Sequence, residues 1–135
     1  MSEEVKIRYS LLKFMYIYTI LTTGIAGFCI LIAPDLYVSL LGMPTQDPII
    51  LGFIGSILVG FAISSILGLR SPLKFLPVLM LQLTYKVVWY IGVILPLVIT
   101  GTLEFYGIFM IAFFAVYVVG DLIAIPFPYL FKKAK

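Results

Sequence analysis

Apolar positions fall into four long blocks, approximately residues 13–33, 48–69, 73–99 and 105–129. Short segments holding most of the charges, prolines and turn-forming glycines separate them. Each block reaches the roughly 20 residues that an α-helix needs to cross a hydrocarbon core of about 30 Å. Lipid offers the backbone no hydrogen-bond partner, so an unbroken apolar run of this length is helical. The alternating, roughly ten-residue segments of a membrane β-barrel are not seen. Pro34, Pro48, Pro72 and Gly101 mark the joints. The pattern predicts an all-α fold: one transmembrane domain over residues 1–135, an integral membrane four-helix bundle running up-down-up-down. In the longest joint, Leu36-Tyr37-Val38-Ser39-Leu40-Leu41 predicts a short amphipathic helix lying on the outer surface.

The basic residues set the orientation. Lys6, Arg8 and Lys13 lie at or before the start of the first block, Arg70 and Lys74 at the joint of the second and third, and Lys132, Lys133 and Lys135 follow the fourth. The other two joints carry Asp35, Asp47 and Glu104 instead, read as solvated charges on the outer surface. By the positive-inside rule both termini are expected on the cytoplasmic side of a prokaryotic plasma membrane. The ninth basic residue, Lys86, lies inside the third block. Tyr9, Tyr16 and Tyr129 at one level, with Tyr37, Phe105 and Tyr106 at the other, suit interfacial aromatic belts. The first block outlasts a signal-peptide core. No small-residue cleavage site closes it, because Ile32-Ala33-Pro34 would put Pro at the cut, so a retained helix is expected.

Composition narrows the chemistry. Hydrophobic residues make up 63% and charged residues 11% of the 135, against roughly 25% charged in a soluble domain. The net charge of +3 is spread over the ends of apolar blocks, so nucleic acid is not an expected partner; the bilayer is. There is no His and a single Cys, Cys29. That excludes a disulfide within the chain, a zinc constellation, a Cys/His pair and a Ser-His-Asp triad. No catalytic residue, metal site or cofactor is predicted.

Two patterns within the blocks carry further information. Gly52, Ser56, Gly60, Ser64 and Gly68 recur at four-residue spacing along one helix face, where a neighbouring backbone can approach closely. A packing seam against the first helix, which offers Thr19, Thr23 and Gly27, is expected. A homo-oligomer through the same face is the alternative. The third block contains Gln82, Tyr85, Lys86 and Trp89 at mid-span. A charged Lys at that depth costs about 2.5–3.5 kcal/mol, so it is expected to face the bundle interior and have a partner. Folding the last two helices about Gly101 sets Lys86 level with Tyr117, and Gln82 level with Asp121. Asp121 is then one turn, about 5.4 Å, from Lys86, within reach of a Lys side chain. An interior cluster of Gln82, Tyr85, Lys86, Trp89, Tyr117 and Asp121 is predicted, with a buried Lys86–Asp121 ion pair. Pro77 and Pro96 flank it and are expected to bend the helix.

Several stretches resemble a group of small four-helix prokaryotic membrane proteins, the BphX-like and, more loosely, the DoxX-like proteins. They are the Pro34-Asp35-Leu36 to Leu41-Gly42 loop, the mid-helix Lys86, and Val119-Gly120-Asp121-Leu122-Ile123 leading to Tyr129-Leu130. The looser group includes proteins tied to quinone-linked redox enzymes and to assembly of other membrane proteins. The resemblance implies four membrane helices and a pairing of Lys86 with Asp121, and it implies no activity.

Four roles for the cluster remain open: a structural pair fixing helix register, a pocket for a small lipid-soluble ligand, a path for protons or ions, and catalysis by Lys86 or Asp121. The leading expectation is a non-enzymatic accessory or ligand-binding bundle, with a ligand or a partner membrane protein. The alternative is a small proton-coupled transporter acting as an oligomer.

Overall fold

A computed structural model describes residues 6–133; Lys135 and the acidic residues Glu3 and Glu4 lie outside them. Every regular element among the described residues is helical. In chain order these are α1 (Tyr9–Ile32), α2 (Pro34–Leu41), α3 (Pro48–Arg70), α4 (Leu76–Trp89), a π-helical segment (Tyr90–Ile94), α5 (Leu95–Thr100), α6 (Phe105–Ala124) and α7 (Phe127–Leu130). Four helices are long and apolar enough to cross a membrane: α1, α3, α6, and the continuous run Leu76–Thr100.

The helix ends follow local chemistry. Asp47, read from sequence as a merely solvated charge, caps α3: its carboxylate accepts from the Ile49 and Ile50 backbone N–H groups at 2.9 and 3.0 Å. Pro48 follows at the first helical position, where its missing N–H costs nothing. Gly42 and Gly101 close α2 and α5 with φ of 66° and 70°, a left-handed conformation that glycine adopts without strain.

Three prolines shape the rest, and two of them correct the sequence reading. The third span starts at Leu76 rather than residue 73, which places Pro77 in the first turn of α4, where it bends nothing. Pro96 has no N–H for the Gly92 carbonyl and crowds it. The preceding turn widens accordingly, and the Leu95 N–H reaches back to the Tyr90 carbonyl, a π-type bond. Pro126 forces Ile125 to an extended backbone (φ −69°, ψ 122°) and ends α6 at Ala124, short of residue 129. The Arg8 side chain crosses from the N-terminal segment and donates to the Ile123 carbonyl thus left over, at 3.2 Å.

Large apolar side chains face outward, as with Ile25 (68% exposed), Phe53 (65%) and Ile99 (75%), while Thr19, Ser65, Gln82, Lys86 and Asp121 are wholly or almost wholly buried. This inversion of the soluble pattern suits a bundle solvated by lipid.

The densest seam joins α1 to α3, through residues other than those expected. A Cβ on Gly27 would lie 2.9 Å from the Gly55 carbonyl oxygen, and one on Gly55 would lie 2.7 Å from Ile30 Cγ2. Gly24 faces Ala62, and the Tyr16 ring lies over Gly68. Of the predicted stripe only Gly68 belongs to the seam. Ser56 and Gly60 are exposed, Ser64 is half-buried, and nothing lies within 4 Å of a Cβ built on Gly52 or Gly60. The α3 helix carries two adjacent columns of small residues. The one holding Gly55, Ala62 and Ser65 was taken up, because it meets the glycines of α1 at Gly24 and Gly27 and admits close backbone approach. Tyr16 is likewise no belt residue: it is buried, and its hydroxyl donates to the Pro72 carbonyl at 2.7 Å.

Candidate functional site

The interior polar groups come from four helices. Tyr16 and Thr19 lie on one buried face of α1, aligned by their three-residue spacing with Leu12 and Met15. Ser65 comes from α3, Gln82 and Lys86 from α4, four apart on one face, and Tyr117 and Asp121 from α6, also four apart. Contacts follow the equal-depth register about Gly101. The Trp89 ring packs edge-on to Phe114 at 5.0 Å, the Lys86 ammonium lies over the Tyr117 ring, and the Tyr90 hydroxyl donates to the Ile111 carbonyl at 2.6 Å.

Lys86 is fully buried, and its Nζ donates to the Tyr85 hydroxyl at 2.8 Å. Three aromatic rings surround the ammonium: Tyr117 with its centroid at 4.0 Å, Tyr85 at 4.2 Å and Phe114 at 5.0 Å. Ring faces carry negative potential, and a desolvated cation–π contact is worth about 2 kcal/mol. Hydroxyl and rings together take the place expected for a carboxylate. Lys86 and Asp121 are not bonded to each other, which corrects the predicted ion pair. Asp121 is fully buried, and neither of its oxygens has a hydrogen-bond partner among the described residues.

The remaining members divide into anchored and open groups. Tyr117 shares a hydrogen bond with Thr22 and meets Tyr18 edge-on at 4.8 Å. Gln82 accepts at Oε1 from Thr19 Oγ1 at 3.3 Å, but its Nε2 has no partner, and neither has Ser65 Oγ. Trp89 stands one layer out, touching Phe114 rather than the ammonium, and forms a wall of the cluster. No family model, curated protein or solved structure matches the chain.

Ser65, Phe114, Tyr16 and the α1 hydroxyls were not named as cluster members from sequence. Spacing held a signal for α1, since Tyr16, Thr19 and Thr23 share a helix face with Leu12 and Met15. Ser65 is set apart from Ser64 only by which side of α3 meets α1.

Chemically the site offers one ammonium already satisfied, one carboxylate with open acceptor positions, an open amide donor on Gln82, and a hydroxyl able to give or take. No three His, Cys, Asp or Glu side chains come together among the described residues.

Proposed function

We propose that this chain is a non-enzymatic accessory protein of a prokaryotic plasma membrane, a four-helix bundle whose interior cluster binds a small lipid-soluble molecule. The observation that carries the reading is the set of buried polar atoms left without partners: both Asp121 oxygens, Gln82 Nε2 and Ser65 Oγ. Buried polar atoms without a hydrogen bond are few in folded proteins, each at a cost of about 1–3 kcal/mol. Here four of them belong to side chains buried in one bundle. A molecule that satisfies them recovers that cost as affinity.

The up-down-up-down course is supported by contacts that run in opposite order along paired helices. Tyr16, Gly24 and Gly27 of α1 meet Gly68, Ala62 and Gly55 of α3. Arg8, Met15 and Thr22 meet Ile123, Gly120 and Tyr117. With the basic joints facing the cytoplasm, the buried polar groups lie in the cytoplasmic half and centre. The outer half of the core is Ile30, Leu51 and Ile94. That apolar plug lends the transporter reading less support, because a polar path would have to continue to both surfaces. The resemblance to BphX-like proteins implies no activity and supplies no substrate.

The test is native mass spectrometry of the wild type and of the Lys86→Met, Asp121→Leu double variant, both purified from membranes. The wild type is expected to carry a small molecule that the double variant lacks. An identical complement of bound molecules in the two would defeat the reading.

A further inference from the structure

A groove of about 360 Å³ runs between α3 and α4, lined by Ile57, Gly60, Phe61, Ser64, Pro77 and Leu81 among others. It reaches the cluster through one pair of rings. Phe61 stacks on the Tyr85 ring, with centroids 5.7 Å apart and planes 27° from parallel, and the Tyr85 hydroxyl holds the Lys86 ammonium. One ring pair therefore stands between the groove and the interior charges. The groove floor at Gly60 is bare, with nothing within 4 Å of a built Cβ.

We infer that the cluster takes the hydroxyl head of an uncharged single-chain amphiphile, which enters sideways from the bilayer through the α3–α4 groove past the Phe61–Tyr85 ring pair. The inference rests on the binding role proposed above and adds a ligand class and a route. The head is chosen by the open groups. Asp121 needs a donor and Gln82 Nε2 needs an acceptor, and a hydroxyl is both at one atom. Charge excludes the common alternatives. Lys86 and Asp121 already balance, so an anionic or cationic head would leave a net charge in a lipid-embedded interior, which is costly. The tail follows from the groove walls, which are mostly apolar and open toward the lipid side of the bundle.

The test uses the full chain in phosphatidylcholine vesicles, with three photoreactive probes of equal chain length: a long-chain alcohol, the matching carboxylate and the matching trimethylammonium. Crosslinked residues are mapped by mass spectrometry. The alcohol is expected to label groove and cluster residues, and the charged probes to stay at background. Gly60→Phe, which fills open space, is expected to cut cluster labelling several-fold. Phe61→Ala, which removes half of the ring pair, is expected to raise it. Stronger labelling by either charged probe overturns the head class. If both groove variants label like the wild type while the Lys86→Met, Asp121→Leu variant loses labelling, the route is wrong and the binding role stands. If the double variant also labels like the wild type, the binding role itself fails. A fall in oligomeric mass on Gly60→Phe would make the groove a seat for a second copy, and this too overturns the route.

Discussion

Lys86 and Asp121 are both fully buried in one interior, yet the ammonium turns to the Tyr85 hydroxyl at 2.8 Å and leaves the carboxylate without a partner. Two opposite charges in a low-dielectric core still interact across a gap. Removing either alone leaves the other uncompensated. Lys86→Met and Asp121→Leu are each expected to lower stability by about 1–3 kcal/mol. The double variant is expected to lose less than their sum by about 0.5–3 kcal/mol. Denaturant titration in mixed micelles measures the cycle, and strict additivity would show that the two groups do not sense each other.

Gly68 and Gly60 share a predicted stripe but not a fate. The Tyr16 ring covers Gly68, and its hydroxyl bond to Pro72 keeps it from moving aside. Gly68→Ala is therefore expected to cost about 1–3 kcal/mol by overpacking. Gly60 faces open space, so Gly60→Ala is expected to cost nothing and to gain up to roughly 1 kcal/mol in helix propensity. Equal losses for the two would contradict the observed seam. The same unfolding assay compares them.

This pair also shows where legibility ended. The four spans, the short helix α2 and the turn at Gly101 were readable because length, hydropathy and turn chemistry act locally. The choice between two adjacent small columns on α3 was not, since it depends on what α1 presents opposite them. For Lys86, spacing and insertion cost dictated an inward direction and a level beside Tyr117. They do not rank a carboxylate one turn away against a neighbouring hydroxyl and three ring faces, a contest settled by side-chain packing. Tyr16 misled for a related reason: a Tyr two turns from a helix start suits an interfacial belt and a buried anchor equally well until the facing helix is known.

The Tyr16 anchor ties α1 to the joint between α3 and α4 through one neutral hydrogen bond, 2.7 Å from hydroxyl to Pro72 carbonyl. Tyr16→Phe keeps the ring over Gly68 and deletes only that bond. A loss of about 0.5–1.5 kcal/mol is expected. Tyr16→Ala also opens a cavity and is expected to cost about 3–5 kcal/mol. If Tyr16→Phe matched Tyr16→Ala, the bond rather than the packed ring would be the principal link between α1 and that joint.

Sidedness rests on the distribution of Lys and Arg, with Arg70 and Lys74 at the joint before α4 and none at the joint before α6. Labelling of single cysteines tests it directly. In a Cys29→Ser background, Thr102→Cys places a thiol at an exposed position between α5 and α6, and Ser71→Cys places one just after α3. A membrane-impermeant maleimide is expected to label the Thr102 position in intact cells and the Ser71 position only after the membrane is opened. The opposite pattern would invert the bundle. The unpartnered atoms of Gln82 and Asp121 would then lie in the outer half of the core, and the apolar plug of Ile30, Leu51 and Ile94 would face the cytoplasm.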